Sequence, residues 1–145
     1  MAQNVVQIIF IRGSQVLLGF RQNTEAYNKL WAFPAGRMEL GESPEDSAKR
    51  ESLEEVAVEP ISLDFLIELP DPHVNFQHNV YICNDWEGEI KNAEPHLCRE
   101  VCWFDIDNLP SNCIPTTYTV IAELNKYLLY HQDVINAESL FQVEA

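Results

Sequence analysis

Apolar and polar positions along the chain fall into short blocks. Val5 to Arg12 is largely apolar and β-branched, Val16 to Phe20 is similar, and Gly13-Ser14 between them supplies a turn, so together they read as a hairpin. Arg21 to Lys29 is polar and reads as a loop. Leu30 to Phe33 forms a short strand that Pro34 ends. Ser43-Pro44-Glu45-Asp46 is a helix start: Ser43 can cap free N–H groups, Pro44 suits the first helical position, and Asp46 sits where a capping box takes an acid. This predicts a helix from about Pro44 to Val56. Pro60 breaks the pattern, Ile61 to Leu69 reads as a strand, and Pro70-Asp71-Pro72 is a turn. Val74 to Cys83 alternates as a strand does, Asn84 to Pro95 is an acidic loop, and Val101 to Phe104 is a further strand. Asp105 to Pro115 is rich in turn residues. Thr116 or Thr117 then caps a second helix to about Tyr130, with Val120, Ile121, Leu124 and Leu128 on its inner face, and His131 to Ala145 reads as a weak helix or a frayed tail. Strands, helix, strands, helix fit a mixed sheet between two helices.

At 145 residues the chain reads as one domain, 1–145, large enough for a sizeable core. No apolar run approaches the ~20 residues that a membrane span needs. The first ten residues, MAQNVVQIIF, lack a basic leader and a small-residue cleavage site, so no signal peptide is expected. A net charge of −14 counts against binding polynucleotides through a basic surface. It does not count against a small anionic substrate, because a bound metal reverses the local sign. Cys83, Cys98, Cys102 and Cys113 form no C-x-x-C pair and read as free thiols in a reducing compartment, which places the protein in the cytoplasm.

Candidate chemistry lies between Phe33 and Val58. Gly36 is followed by Glu42, then Arg50-Glu51, then Glu54-Glu55. On a helix, Glu51, Glu54 and Glu55 share a face within an arc of about 100°. At spacings of three and four these like charges repel. A hard cation such as Mg²⁺, which takes oxygen ligands and keeps several waters, turns that repulsion into a binding site. An acidic helix face is by default only a solvated one. The register of glycine, Glu42, Arg50 and the carboxylates is more specific than that.

The set resembles the Nudix box, G-x5-E-x7-R-E-U-x-E-E-x-G-U with U aliphatic. Gly36, Glu42, Arg50, Glu51, Glu54 and Glu55 match in register, and Val58 matches the last aliphatic position. Ser52 stands where an aliphatic residue is usual, and Ala57 replaces the last glycine. The likeness covers most of the chain and is nearest the MutT-like branch, the nucleoside triphosphate pyrophosphohydrolases. It implies an α/β fold, a mixed sheet sandwiched between helices. It also implies that Glu51, Glu54 and Glu55 ligate metal or act on water, with the backbone carbonyl of Ala35 as a further ligand. Trp86-Glu87-Gly88-Glu89 resembles a loop that supplies an extra carboxylate, here Glu94. Gly36, Glu42 and Arg50 look structural, the guanidinium forking onto carboxylates. If position 57 needs φ > 0, Ala57 ends the helix with some strain.

The implied reaction is hydrolysis of a nucleoside triphosphate, common or oxidised, to monophosphate and pyrophosphate. Mg²⁺, with Mn²⁺ as a substitute, offsets the charge and acidifies a water, and a glutamate takes the proton. Glu54 is the first choice as base and Glu94 the second. Phe33, Phe76 and Trp103 are candidates for stacking on a base, as is Tyr118, although any one aromatic is more often a core residue. His73 could touch substrate, and Thr117 stands where close relatives place an asparagine that reads an oxidised guanine, a departure that counts against 8-oxoguanine preference. His78 and His96 give no distinct signal. The expected partner is a small nucleotide rather than a nucleic-acid polymer or a membrane, and monomer and homodimer both stay open. The alternatives are another diphosphate substrate (a dinucleoside polyphosphate, a nucleotide sugar or a prenyl diphosphate) and a non-catalytic nucleotide sensor. Loss of a box glutamate would favour the sensor, but all three are present.

Overall fold

The computed structural model describes residues 1–144, and side chains through His131. In chain order the elements are β1 (Gln3–Arg12), β2 (Gln15–Arg21), β3 (Trp31–Ala32), β4 (Ala35–Arg37), α1 (Pro44–Val56), β5 (Glu59–Pro60), β6 (Asp64–Pro70), β7 (Phe76–Cys83), β8 (Trp86–Glu87), β9 (Cys98–Asp105) and α2 (Pro115–Glu144). β1 and β2 form the expected hairpin around Gly13, whose φ of 61° suits a residue without a Cβ. They stay paired only near the tip, at Ile11↔Val16 and Arg12↔Gln15. Beyond it they part. β1 runs parallel to β7 from Gln3↔Phe76 to Phe10↔Cys83, and β7 carries β6 antiparallel. β2 instead carries β9 and β3. β4 closes onto the start of β1 through Val5↔Arg37 and Gln7↔Ala35. The divergence of the two arms opens a cleft at the end of the sheet away from the hairpin tip.

Alternation along β1 splits the core in two. Val6, Ile8 and Phe10 pack with Leu17 and Val58 against Ala48 and Val56 of α1. Ile9 and Ile11 pack with Leu18, Val80 and Ile82 against Val120, Ile121 and Leu124 of α2. The sheet is therefore mixed and covered by a helix on each face, an α/β/α sandwich. Leu128 packs at the edge of the second core, as the helical spacing predicts.

Several expectations need correction. β4, β5 and β8 are two or three residues long, too short to show a period in sequence. Pro60 belongs to β5 and pairs with Trp86, so the acidic loop after Cys83 contains a strand. Thr116 and Thr117 do not cap α2. Pro115 is its first residue and both threonines are buried in the first turn, where the Thr117 N–H donates to Ile114 O at 3.1 Å. The helix continues through Glu144, and Ala145 lies outside the described residues. Among the described residues no helix is long and apolar enough to cross a membrane. All four cysteines are free, with Cys83 and Cys113 buried and Cys98 and Cys102 half-buried.

Candidate active site

Local chemistry fixes α1 at both ends. Ser43 Oγ accepts from the Asp46 N–H at 3.1 Å, Pro44 begins the helix, and Glu45 and Asp46 sit in its positive first turn. At the other end Ala57 adopts φ 62°, ψ 29°, and its N–H returns to Leu53 O at 3.2 Å. This is the left-handed cap that glycine usually provides. Ser52 is fully buried, and its Oγ donates to Ala48 O at 2.7 Å, which satisfies a hydroxyl at a position facing the core. The last carbonyls of α1 are taken up by the loop after β8. Ala93 N–H donates to Glu55 O at 3.0 Å and Lys91 N–H to Val56 O at 3.1 Å. Those two bonds set Glu94 beside the helix.

Arg50 organises the carboxylates. Its Nε and Nη2 fork onto Glu42 at 2.7 and 2.9 Å, and Nη2 also donates to Arg37 O at 3.0 Å. Nη1 donates to Glu51 at 2.8 Å and to Glu54 at 3.3 Å. All five N–H donors of the guanidinium are used. The pairing with Glu42 pushes the Arg50 pKa up and, with the Glu39 N–H, holds the Glu42 carboxyl down at about 2.

The other carboxyls move the opposite way. Burial raises Glu51 to about 7 against the pull of Arg50, and Glu54 and Glu94 push it further up. Burial also raises Glu55 well above the ordinary carboxylate range, with Glu51 and Glu94 adding to it. Glu94 is raised by burial and then by Glu54. Among the described residues no three acidic, imidazole or thiol groups close around one point. The donor set nonetheless suits a divalent cation. Glu51, Glu54, Glu55 and Glu94 destabilise one another's charge, and the buried Glu55 Oε2 has no hydrogen-bond partner. The Ala35 backbone lies close enough to the Glu55 carboxyl to offset part of that rise, which places it against the same cluster.

A cavity of about 490 Å³ joins this cluster to the cleft between the diverging strands. Glu51, Glu54, Glu55, Glu94, Ala35 and Gly36 line it, and so do Phe33 and Phe76. His73, Trp103, Thr117 and Tyr118 do not. His73 is exposed, and its backbone N–H donates to Asp71 Oδ1 at 2.9 Å. Trp103 packs on the α1 side, its ring 6.1 Å from that of Trp86 and beneath the Arg12 guanidinium. The Thr117 side chain lies in the first turn of α2 with no exposure.

Among the lining residues that escaped sequence reasoning are Arg21, Gln7 and His78. Arg21 ends β2 on the face of Leu17 and Gly19. Burial lowers its pKa while Glu55 raises it, and its buried Nε lacks a partner. The i, i+2 alternation from Leu17 was the signal that could have found it. Nothing local marks Gln7 or His78, because the pairing of β1 with β7 is what brings them into the cleft.

Comparison with known proteins agrees with this geometry. The 8-oxo-dGTP diphosphatase of Escherichia coli (strain K12) is 32% identical over 105 residues, which cover 68% of this chain and 76% of that protein. The NAD-capped RNA hydrolase NudC of Pectobacterium carotovorum is 30% identical over 113 residues, covering 78% of this chain but 42% of that longer protein. A MutT NUDIX hydrolase structure from Burkholderia pseudomallei superposes with a TM-score of 0.80 at 20% identity, over 85% of this chain and 98% of that one, a likeness of fold. The family model for the NUDIX domain matches residues 1–124, a span that takes in the whole box helix, the loop bearing Glu94 and the start of α2, and the chain belongs to the Nudix hydrolases.

Proposed function

We propose that the protein hydrolyses a nucleoside triphosphate to the monophosphate and pyrophosphate. The observation that carries this reading is the shared cavity: four carboxylates line it together with aromatic rings and buried polar groups of a size and kind that suit a nucleobase. Glu51, Glu54, Glu55 and Glu94, with the Ala35 carbonyl, are the groups that would hold a divalent cation, Mg²⁺ with Mn²⁺ as a substitute. When bound, such a cation supplies neutralisation of phosphate charge and acidification of the attacking water.

The chain's own residues divide the remaining work. Arg50 holds Glu51 and tethers Glu54, so both carboxylates meet substrate in one orientation. Glu55 is half-buried with its Oε2 closed off, whereas the Glu54 side chain is half exposed and reached by Arg50 only at 3.3 Å. Glu54 is therefore the carboxylate best able to take a proton from water and release it, with Glu94 next. Phe76 stands at the rim under the Arg37 guanidinium and offers a face for a base. The buried polar groups Gln7 and His78 suit a nucleotide better than the apolar chain of a prenyl diphosphate. Four free thiols fit a reducing, cytoplasmic setting.

Products separate this reading from its neighbours. Monophosphate plus pyrophosphate from a triphosphate supports it. Diphosphate plus inorganic phosphate, or turnover confined to dinucleoside polyphosphates or nucleotide sugars, replaces the substrate and leaves the carboxylate chemistry in place.

A further inference from the structure

Gln7 lies in the middle of β1, is 1% exposed, and lines the cavity between the diverging strands. A polar residue in an otherwise apolar strand needs partners, and this one has them on one side only. Its Nε2 meets His78 Nδ1 at 2.8 Å and donates to Thr116 Oγ1 at 3.4 Å. Its Oε1 is buried and has no hydrogen-bond partner among the described residues. An unmet buried acceptor is rare in a folded protein.

The orientation of that amide follows from a chain of hydrogen bonds. Burial opposes the Asp71 charge, but bonds from Tyr27, the His73 N–H, His78 and the Val74 N–H outweigh it and hold the carboxyl at about 2. An ionised carboxylate only accepts. His78 Nε2, 2.9 Å from Asp71 Oδ2, must therefore be the protonated ring nitrogen. In the neutral ring Nδ1 is then an acceptor and takes its hydrogen from the Gln7 NH₂ group. With both Gln7 N–H bonds committed, the carbonyl oxygen is the one atom left over. Tyr27, whose hydroxyl donates to Asp71 at 2.5 Å, also lines the cavity and closes the chain.

We propose that Gln7 is a specificity-determining residue whose carboxamide oxygen accepts a hydrogen bond from an N–H donor on the substrate's base, with His78 and Asp71 as positioning residues that keep that oxygen free. The inference rests on the nucleotide reading above and deepens it: the base that fits carries an exocyclic amino group at the contacted edge. A base presenting only an acceptor there would face Oε1 lone pair to lone pair. The aromatic face of Phe76 tolerates any base, so Gln7 is where selection enters.

The test is a binding titration with nucleoside monophosphates that differ by one amino group: GMP against IMP, AMP against purine riboside monophosphate, and CMP against its 4-deamino analogue. Wild-type protein is expected to favour the amino-bearing member of at least one pair by about tenfold. Gln7→Met should erase that gap by weakening the amino-bearing ligand about tenfold, while its partner changes by less than about threefold. Absence of a gap in the wild type overturns the proposal without need of any variant, even if Gln7→Met fails to fold. Equal weakening of both members by Gln7→Met also overturns it, as a merely structural role. Hydrolysis of triphosphates is read separately. A gap that depends on Gln7 without turnover keeps the proposal and sinks the triphosphate reading, whereas turnover without a gap does the reverse.

Discussion

Gly36 and Glu51 compete for the same space. A Cβ built at position 36 would fall within bonding range of the Glu51 carboxyl, so the strand can pass under the carboxylate only where it has no side chain. That contact links β4, which precedes α1, to the second half of the helix. It explains physically why the first residue of the motif is glycine, since the φ of Gly36 is not in the left-handed region.

Gly36→Ala should therefore move Glu51 rather than unfold the protein. The carboxylate must shift by an ångström or more, which can cost about 10²-fold in rate. We expect kcat to fall by about that factor with little change in KM. A variant with wild-type kcat would show that the Glu51 position is not critical.

Arg50→Lys tests the fork. Lysine keeps the charge but cannot serve Glu42, Glu51, Glu54 and the Arg37 carbonyl together. Activity should drop about tenfold or more, and the melting temperature should fall. If lysine supports full activity, the charge of Arg50 matters and its geometry does not.

Ala57 holds φ 62° at the end of α1, a conformation that disfavours any residue with a Cβ. Ala57→Gly should stabilise the protein by about 0.5–1 kcal/mol and leave kcat within about twofold. Thermal melting with a parallel rate assay checks both. A lower melting temperature would mean that alanine is favoured here by its packing.

The raised Glu51 carboxyl sets a pH dependence of the metal-free protein. Its folded pKa, about 7, lies above the ordinary value of 4.5, so ionisation favours unfolding. The stability it contributes is full below 4.5 and is lost as pH rises through about 7. Cation binding needs the ionised form and should release protons at pH 6. Calorimetric titration with Mg²⁺ in two buffers of different ionisation enthalpy measures this. Heats independent of buffer would contradict it, and Glu51→Gln should reduce the release.

How much of this was legible in sequence depends on how local each signal is. The bounds of α1, the shared face of Glu51, Glu54 and Glu55, and the inner face of α2 rest on caps and periodicity, and all three appear as read. The pairing of Arg50 with Glu42 spans eight residues and was legible only through the motif. Gln7 and His78 are 71 residues apart and become neighbours only because β1 and β7 run parallel in one register. Trp103 shows the converse: an aromatic chosen by type alone packs with Trp86, away from the cavity. Thr117 was placed at the right end of α2, but Pro115 starts that helix two residues before it and turns it into the core.

The central claim is that the α1 carboxylates catalyse attack of water on a nucleotide phosphate. Its most direct test is turnover of common and oxidised nucleoside triphosphates with Mg²⁺, products resolved by ion exchange, by the wild type and by Glu54→Gln. Our account expects monophosphate and pyrophosphate from the wild type, and loss of at least about 10²-fold in kcat in the variant, which removes the base and one anionic ligand while leaving the fold intact. Metal and nucleotide binding without turnover of any triphosphate, or a Glu54→Gln variant as active as the wild type, would contradict it.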